Sequence, residues 1–507
     1  MFRVRQLPYK WLVAIVFISG LFMDMVDSTV VNVAIPQLSR DFHASISSVE
    51  WTVTGYLLSL ALFIPAAGYL SDRFGTKRCF LIAMGIFVAA SGLCGQAHSL
   101  NELIAFRFLQ GAGGGMMTPV GTAMLSREFP GAERAKASAL MSVPIVFAPM
   151  VGPIFGGYLV TNVSWRWIFY LNLPIGIASF LFAFRVLKEH KEDYARHGFD
   201  LIGLITGSGA AALILYALSE AATVGWTADR VVACGLGGVA MLGVFVLQEL
   251  RSKTPIIDLG LFRRPLFTQG NLIMMPAFAM FTGFFFIFTL YLQELQGWSA
   301  FQAGLITAPA SLVAAIAFPF ASMYYARIGP KRMLLIGCTL SLVTLLPFGF
   351  LTAGTVVAVL ILVLCIRAFP FSFASVAAQT LIYGPLESSK QGPASSAYNT
   401  MRQVAASLGV ALIATVQANQ FKGELGSLMS KAGVTTPTAH MTRLASQHGY
   451  QMAFFACAGL MVIPLVVTMF VDNKKAEDSL KVQLETRQAQ AVAASTAGAE
   501  GAVAGGE

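Results

Sequence analysis

The sequence predicts an all-α polytopic membrane protein of about fourteen spans, built as two six-helix halves with a further helix pair inserted between them. Composition is the first observation behind this. Of 507 residues, 56% are apolar and only 12% charged, against about 25% charged in soluble domains. The second is the placement of Lys and Arg in alternate loops: 25 on one side of the expected membrane, 6 on the other, and Arg107, Arg367 and Arg402 within or at the ends of spans. The third is an internal repeat. GYLSDRFGTKRCF (68–80) returns as SMYYARIGPKRML (322–334), which pairs Arg73, Gly75, Lys77 and Arg78 with Arg327, Gly329, Lys331 and Arg332 at a constant offset of 254.

Apolar windows place the spans near 11–35, 50–70, 79–98, 101–124, 137–160, 166–187, 199–219, 230–249, 268–292, 303–325, 331–351, 355–380, 399–418 and 450–471. Helices are required because a spanning backbone must satisfy its own hydrogen bonds. The repeat divides them into a first half (1–187), an inserted pair (199–250) and a second half (268–471). An even number of spans preserves the charge alternation and puts both termini on the basic, cytoplasmic side of an inner or plasma membrane. The tail (473–507), ending ASTAGAEGAVAGGE, is low-complexity and expected to be disordered.

Net charge of +9 would suit nucleic acid, but its distribution is that of membrane loops, so no nucleic-acid partner is expected. The six cysteines (Cys79, Cys94, Cys234, Cys338, Cys365 and Cys457) are scattered, without CxxC or metal-ligand spacing, and read as reduced packing residues with no metal. The first span lacks an A-x-A cleavage site and carries two acids, which makes it a retained helix.

Those acids, Asp24 and Asp27, sit near the middle of FISGLFMDMVDSTVVNVAIPQ (17–37), on one face about a turn apart. A carboxylate there costs at least a few kcal/mol unless it faces a bundle interior or aqueous cavity. Arg107 in the fourth span, RFLQGAGGGMMTPVG, needs a carboxylate or carbonyl partner, unless it snorkels to the nearby interface. In the loop GYLSDRFGTKR, Gly68 and Gly75 allow tight turns, while Asp72, Arg73, Lys77 and Arg78 can form an ion-pair latch that closes in one state and opens in another. A solvated topological loop would explain its basic residues but not the G-x-L-x-D-R-x-G-x-K-R pattern. In the fifth span, SVPIVFAPMVGPIFGGYL, Pro144, Pro149 and Pro153 bend the helix, and Gly152, Gly156 and Gly157 give a smooth face. Phe278, Phe281, Phe285 and Phe288 recur at helical spacing. An aromatic face toward lipid is the commoner use; a substrate wall is the other. Asn32, Gln110, Phe281 and Phe285 are the candidates for a substrate cavity.

The helix 2–3 loop resembles the signature of the major facilitator superfamily. Its copy at 322–334 departs by carrying Ala326 in place of Asp72, so its latch is expected to be weaker. The R-x-x-Q-G of the fourth span is similar to a family motif whose arginine is linked to proton transfer, and G-P-x-x-G-G (152–157) to the signature of its antiporters, with Ala148 where glycine is usual. DSTVVNVAIP (27–36), WRWIFYLNLPIG (165–176) and LYLQELQGWSAFQAGL (290–305) resemble segments of the fourteen-span drug:proton antiporters of the EmrB/QacA type. The resemblance implies a proton-coupled exporter of amphipathic, often cationic compounds working by alternating access. Asp27 is then the proton and cation site, Asp24 a second acid outside the family pattern, and Arg107 the tuning charge. No cofactor is implied beyond the proton gradient; partners are small-molecule substrates, protons and membrane lipid, and the resemblance admits periplasmic adaptor proteins. A lipid or metabolite exporter would share the scaffold. The helix 5 motif argues against a symporter. An intramembrane enzyme would need a His, Ser, Cys or metal constellation, yet all six histidines fall in or beside loops.

Overall fold

Short polar loops and glycines cut the chain close to where the apolar windows end. A computed structural model describes residues 8–129, 148, 151–189, 200–252, 255–383, 386 and 388–474. All regular structure among them is helical. In order the helices are α1 (Tyr9–Asp41), α2 (Trp51–Phe74), α3 (Thr76–Gln96), α4 (Leu100–Glu128), α5 (151–162), α6 (Asn172–Val186), α7 (Leu201–Val224), α8 (Asp229–Arg251), α9 (Pro265–Leu290), α10 (Ala300–Ile328), α11 (Pro330–Leu345), α12 (Val357–Tyr383), α13 (Ser388–Ala432) and α14 (Ala439–Met469). Short helices at Ile46–Val49 and Trp167–Tyr170 lead into α2 and α6, and a π turn, Tyr291–Leu295, ends α9. Pro144, Pro149 and the tail from 475 onward lie outside the described residues.

Twelve of the described helical segments are long and apolar enough to cross a membrane. The helix α4 has the length, 29 residues, but Arg107, Gln110 and its glycines make it more polar, while α5 is described only from 151. Side-chain caps fix several starts. Ser99 accepts from Glu102 N at 3.3 Å, Asp200 from Gly203 N at 2.7 Å, and Ser299 and Gln302 form a reciprocal capping box.

The internal repeat extends to backbone geometry. Gly75 and Gly329 end α2 and α10 with φ of +96° and +83°, a region open to glycine at little cost. Each glycine N–H bonds the carbonyl four residues back, Ser71 at 2.9 Å and Tyr325 at 3.0 Å.

Glycine also sets how closely the helices approach. A Cβ on Gly111 would come within 2.6 Å of the Tyr56 carbonyl, and one on Gly113 within 2.6 Å of the Ala83 carbonyl, so α4 is pressed between α2 and α3. In the second half Gly283 meets Gly409, and Gly337 meets Ala374, in the same manner. The inserted helix α7 lies along both halves: Leu58 of α2, Leu215 of α7 and Ala411 of α13 form one buried cluster, and Thr415 Oγ1 donates to the Leu218 carbonyl at 3.0 Å. Its partner α8 leaves most of its surface uncovered, with Leu236 68% and Val239 62% exposed.

The apolar core divides unequally. Val13, Phe17, Ile64, Phe80, Phe87 and Met124 belong to a cluster made wholly of first-half residues. Val30, Ile35, Leu103 and Trp165 instead join a cluster that runs through the second half. Among the described residues the halves therefore share a core at the end where α1 finishes, and the cluster at the end where α1 begins is made of first-half residues. Across the shared end Gln293 Nε2 donates to the Val33 carbonyl at 3.0 Å and Phe301 N to Thr161 Oγ1 at 3.3 Å.

Candidate functional site

Both acids of α1 are buried, Asp24 at 4% and Asp27 at 2% exposure, and each has its own partners. Arg107 Nη1 of α4 donates to Asp27 Oδ2 in a buried ion pair. The other carboxylate oxygen, Oδ1, accepts from Gln110 Nε2 and from Asn172 Nδ2 of α6, both at 2.9 Å. Arg107 is fully buried, which excludes the snorkelling alternative. It also donates to Gln110 Oε1 at 2.7 Å and from Nε to the Thr52 carbonyl at 3.0 Å, and its Cζ lies 4.0 Å from the Tyr56 ring centroid. Asn172 donates onward to Ser91 Oγ at 3.0 Å. Four helices thus meet on one carboxylate and one guanidinium, and Ser91 adds α3 through Asn172. Buried charge is tolerated where it is paired and its remaining lone pairs and protons are satisfied.

Asp24 accepts a hydrogen bond from Tyr56 O–H instead. Gly114 gives it room, since a Cβ there would stand 2.6 Å from Asp24 Oδ1. Although a turn apart, the acids are held differently: Asp27 by a cation and two amides, Asp24 by a phenol.

In the helix 2–3 loop, Gly75 makes the turn, Arg73 and Arg78 are exposed, and Lys77 is half-buried. Arg78 Nε lies 3.6 Å from Glu189 Oε2, and Lys77 N donates to Glu189 Oε1 at 3.1 Å. Glu189, just beyond α6, is the acid that sequence reasoning missed. The surroundings of Gly68 and the side chain of Asp72 lie outside the described residues. In the second half Lys331 Nζ donates to the Met469 carbonyl at 3.0 Å.

The fifth-span residues sit on the seam between the halves. A Cβ on Gly152 would meet Thr29 Oγ1 at 2.2 Å and one on Gly156 would meet Val30, both on α1. One on Gly157 would meet the Ala300 carbonyl at 2.4 Å, and one on Gly304 of α10 would meet the Pro153 carbonyl at 2.2 Å.

Of the four cavity candidates, Gln110 joins the Asp27 network. Asn32 is half-buried, and its Oδ1 has no partner among the described residues. Phe281 and Phe285 are half-buried and pack on each other at 4.9 Å between centroids, with Phe281 stacked on Phe371 of α12 at 4.6 Å. Phe288 is fully buried against Phe284 and Phe348. The stripe is therefore divided: Phe288 is buried in the second half, and Phe278, Phe281 and Phe285 are half-buried. Arg367, the counterpart of Arg107, is 5% exposed and makes no ion pair with any described residue. Tyr56, Asn172 and the Thr52 carbonyl were not legible as partners. Only Asn172, an amide inside an apolar run, left a signal.

The Major Facilitator Superfamily family model matches residues 17–410. The chain belongs to that superfamily. Among its relatives, a "Multidrug resistance protein B homolog" of Mycobacterium tuberculosis is 32% identical over 485 residues, covering 90% of this chain and 88% of that one. The "Tetracenomycin C resistance and export protein" of Streptomyces glaucescens is 29% identical over 418 residues, 82% and 77% of the two chains. The "Multidrug export protein EmrB" of Escherichia coli is 33% identical over 316 residues, 62% and 61%. Among solved structures, a bacterial homologue of the human lysosomal transporter Spinster superposes with a TM-score of 0.66 at 15% identity, over 93% of this chain and 98% of that one. A D-xylose–proton symporter gives 0.60 at 16%, over 92% and 99%. This member of the superfamily is an integral, multi-pass membrane transporter of small molecules.

Proposed function

We propose that this transporter is a proton-coupled multidrug exporter of amphipathic, often cationic compounds, with Asp27 as the coupling acid. The observation that carries this is the buried Asp27–Arg107 ion pair, tied through Gln110 and Asn172 to α4 and α6. A carboxylate leaving its arginine in a water-poor interior needs another counter-charge, and a proton is the smallest available. A movement that separates the pair therefore loads a proton, and one that restores it releases the proton. One proton moving inward gains about 2.3 kcal/mol per 100 mV of membrane potential.

The alternation of basic loops assigns the Gly75 and Gly329 end to the cytoplasm of an inner or plasma membrane, both termini included. On that assignment the described contacts that join the halves lie at the outer end. A substrate then enters from the cytoplasm, its cationic part drawn to Asp24, and leaves when the halves rock the other way. The Gly75, Arg78 and Glu189 contacts serve as part of the cytoplasmic latch. The multidrug and export names of the relatives support the same reading.

The test is Asp27→Asn in proteoliposomes with an imposed pH gradient. The variant keeps the size of the side chain and loses its titration, so gradient-driven export should stop while substrate binding persists. Unchanged gradient-driven transport would remove Asp27 from the coupling role.

A further inference from the structure

The second half holds two arginines that form no ion pair with a described carboxylate, although Arg402 lies within electrostatic reach of Asp24. Arg367 is buried, its Cζ 3.5 Å from the Phe284 ring centroid and 5.5 Å from that of Phe285. Among the described residues its one polar contact is Nη2 to Met280 Sδ at 3.6 Å, and its Nε has no hydrogen-bond partner there. Arg402 of α13 stands over Phe278 at 5.1 Å, and its buried Nε is likewise unpartnered. One continuous set of rings connects them. Phe278 packs on Phe281 at 5.9 Å, Phe281 on Phe285 at 4.9 Å, and Phe281 stacks on Phe371, one turn along α12 from Arg367.

Arg107 makes the contrast. In the first half a buried arginine receives a carboxylate, an amide and a carbonyl. Ring faces attract a guanidinium but accept none of its directional N–H bonds. A planar fork of donors in a water-poor wall is matched by a carboxylate, which accepts two N–H bonds at once.

We propose that Arg367 and Arg402 form an anion-binding end of the substrate site, taking a carboxylate whose aromatic body lies on Phe278, Phe281 and Phe371. This rests on the exporter reading and narrows its substrate class. The acids of α1 face the cation and the arginines of α12 and α13 the anion, so the favoured cargo is an aromatic zwitterion rather than a simple lipophilic cation.

The experiment uses two xanthene dyes with the same delocalised cation, one bearing a free carboxylate and the other its methyl ester. Both are titrated against purified full-length protein in neutral detergent. The wild type should bind the acid at least about tenfold tighter than the ester, about 1.4 kcal/mol. Arg367→Gln and Arg402→Gln should each shrink that ratio toward one without weakening the ester; Arg367→Lys should keep most of it. Equal binding of the two dyes by the wild type, or equal losses of both in the variants, would overturn the proposal. So would displacement of the acid dye by added phosphatidylglycerol, which would assign the arginines to a lipid headgroup. If Arg367→Gln fails to fold, Arg402→Gln and Arg367→Lys decide it. No gradient is involved, so the result is separable from coupling: loss of pH-driven dye export with the acid-to-ester ratio intact would sink the exporter reading and leave this site standing.

Discussion

Asp27 and Arg107 neutralise each other where water is scarce, and their remaining contacts are to uncharged groups. Removing one member of such a pair strands the other's charge and costs about 3–5 kcal/mol. Asp27→Asn and Arg107→Met should therefore each lower the thermal unfolding temperature in detergent, and the double variant should lose less than the sum. Additive losses would mean that the two charges do not depend on each other. Asp24 allows a different test, because its hydrogen-bond partner is a neutral phenol and not a cation. Once Asp27 has left Arg107, two carboxylates one turn apart can share a dication, whereas a monocation leaves one of them needing a proton. Asp24→Asn should weaken export of a dication more than that of a matched monocation, and equal losses for both would refute the sharing. These charged residues were legible because a charge inside an apolar run stands out on cost alone. Tyr56, Asn172 and the Thr52 carbonyl were not, because neutral polar groups carry little cost until a neighbour is known. The helical spacing of the phenylalanines was equally plain, but period alone does not say which way a stripe faces.

The loop glycines show how far an element could be read before its surroundings were known. The repeat predicted matching turns, and both glycines adopt positive φ. It also predicted an ion-pair latch, but the acid described there, Glu189, comes from the far end of α6, beyond the reach of a local motif. A side chain at either glycine costs about 1–3 kcal/mol in backbone strain. Gly75→Ala and Gly329→Ala should thus destabilise alike in a melting experiment. A Cβ on Gly75 would also strike Glu189, whose Oε1 would lie 2.2 Å away. Gly75→Ala should consequently slow turnover more; equal slowing by both would count against Glu189 as part of the latch. Helix lengths were less legible. The window near 399–418 became 45 residues of α13, about 68 Å at 1.5 Å per residue, because hydropathy marks where lipid begins and not where the hydrogen-bond ladder stops.

On the scale of the whole molecule, the two halves are fastened at one end by Gln293 to Val33 and Phe301 to Thr161. If transport requires that end to open, a disulfide formed by Thr161→Cys with Phe301→Cys should arrest it, and reduction should restore it. Continued transport in the fully oxidised double variant would mean the seam need not part there. The inserted pair adds something that neither half has alone. The helix α7 grips α2 and α13 together, while α8 presents Leu236, Val239, Val244 and Leu247 to its surroundings. Any rocking of the halves must carry this paddle sideways through the acyl chains. Turnover should then track bilayer stiffness, falling in liposomes of saturated lipid and rising in unsaturated ones at equal pH gradient, whereas identical rates would mean the paddle stays still. The host membrane's fluidity would thereby set the tempo of the cycle as directly as the gradient that drives it.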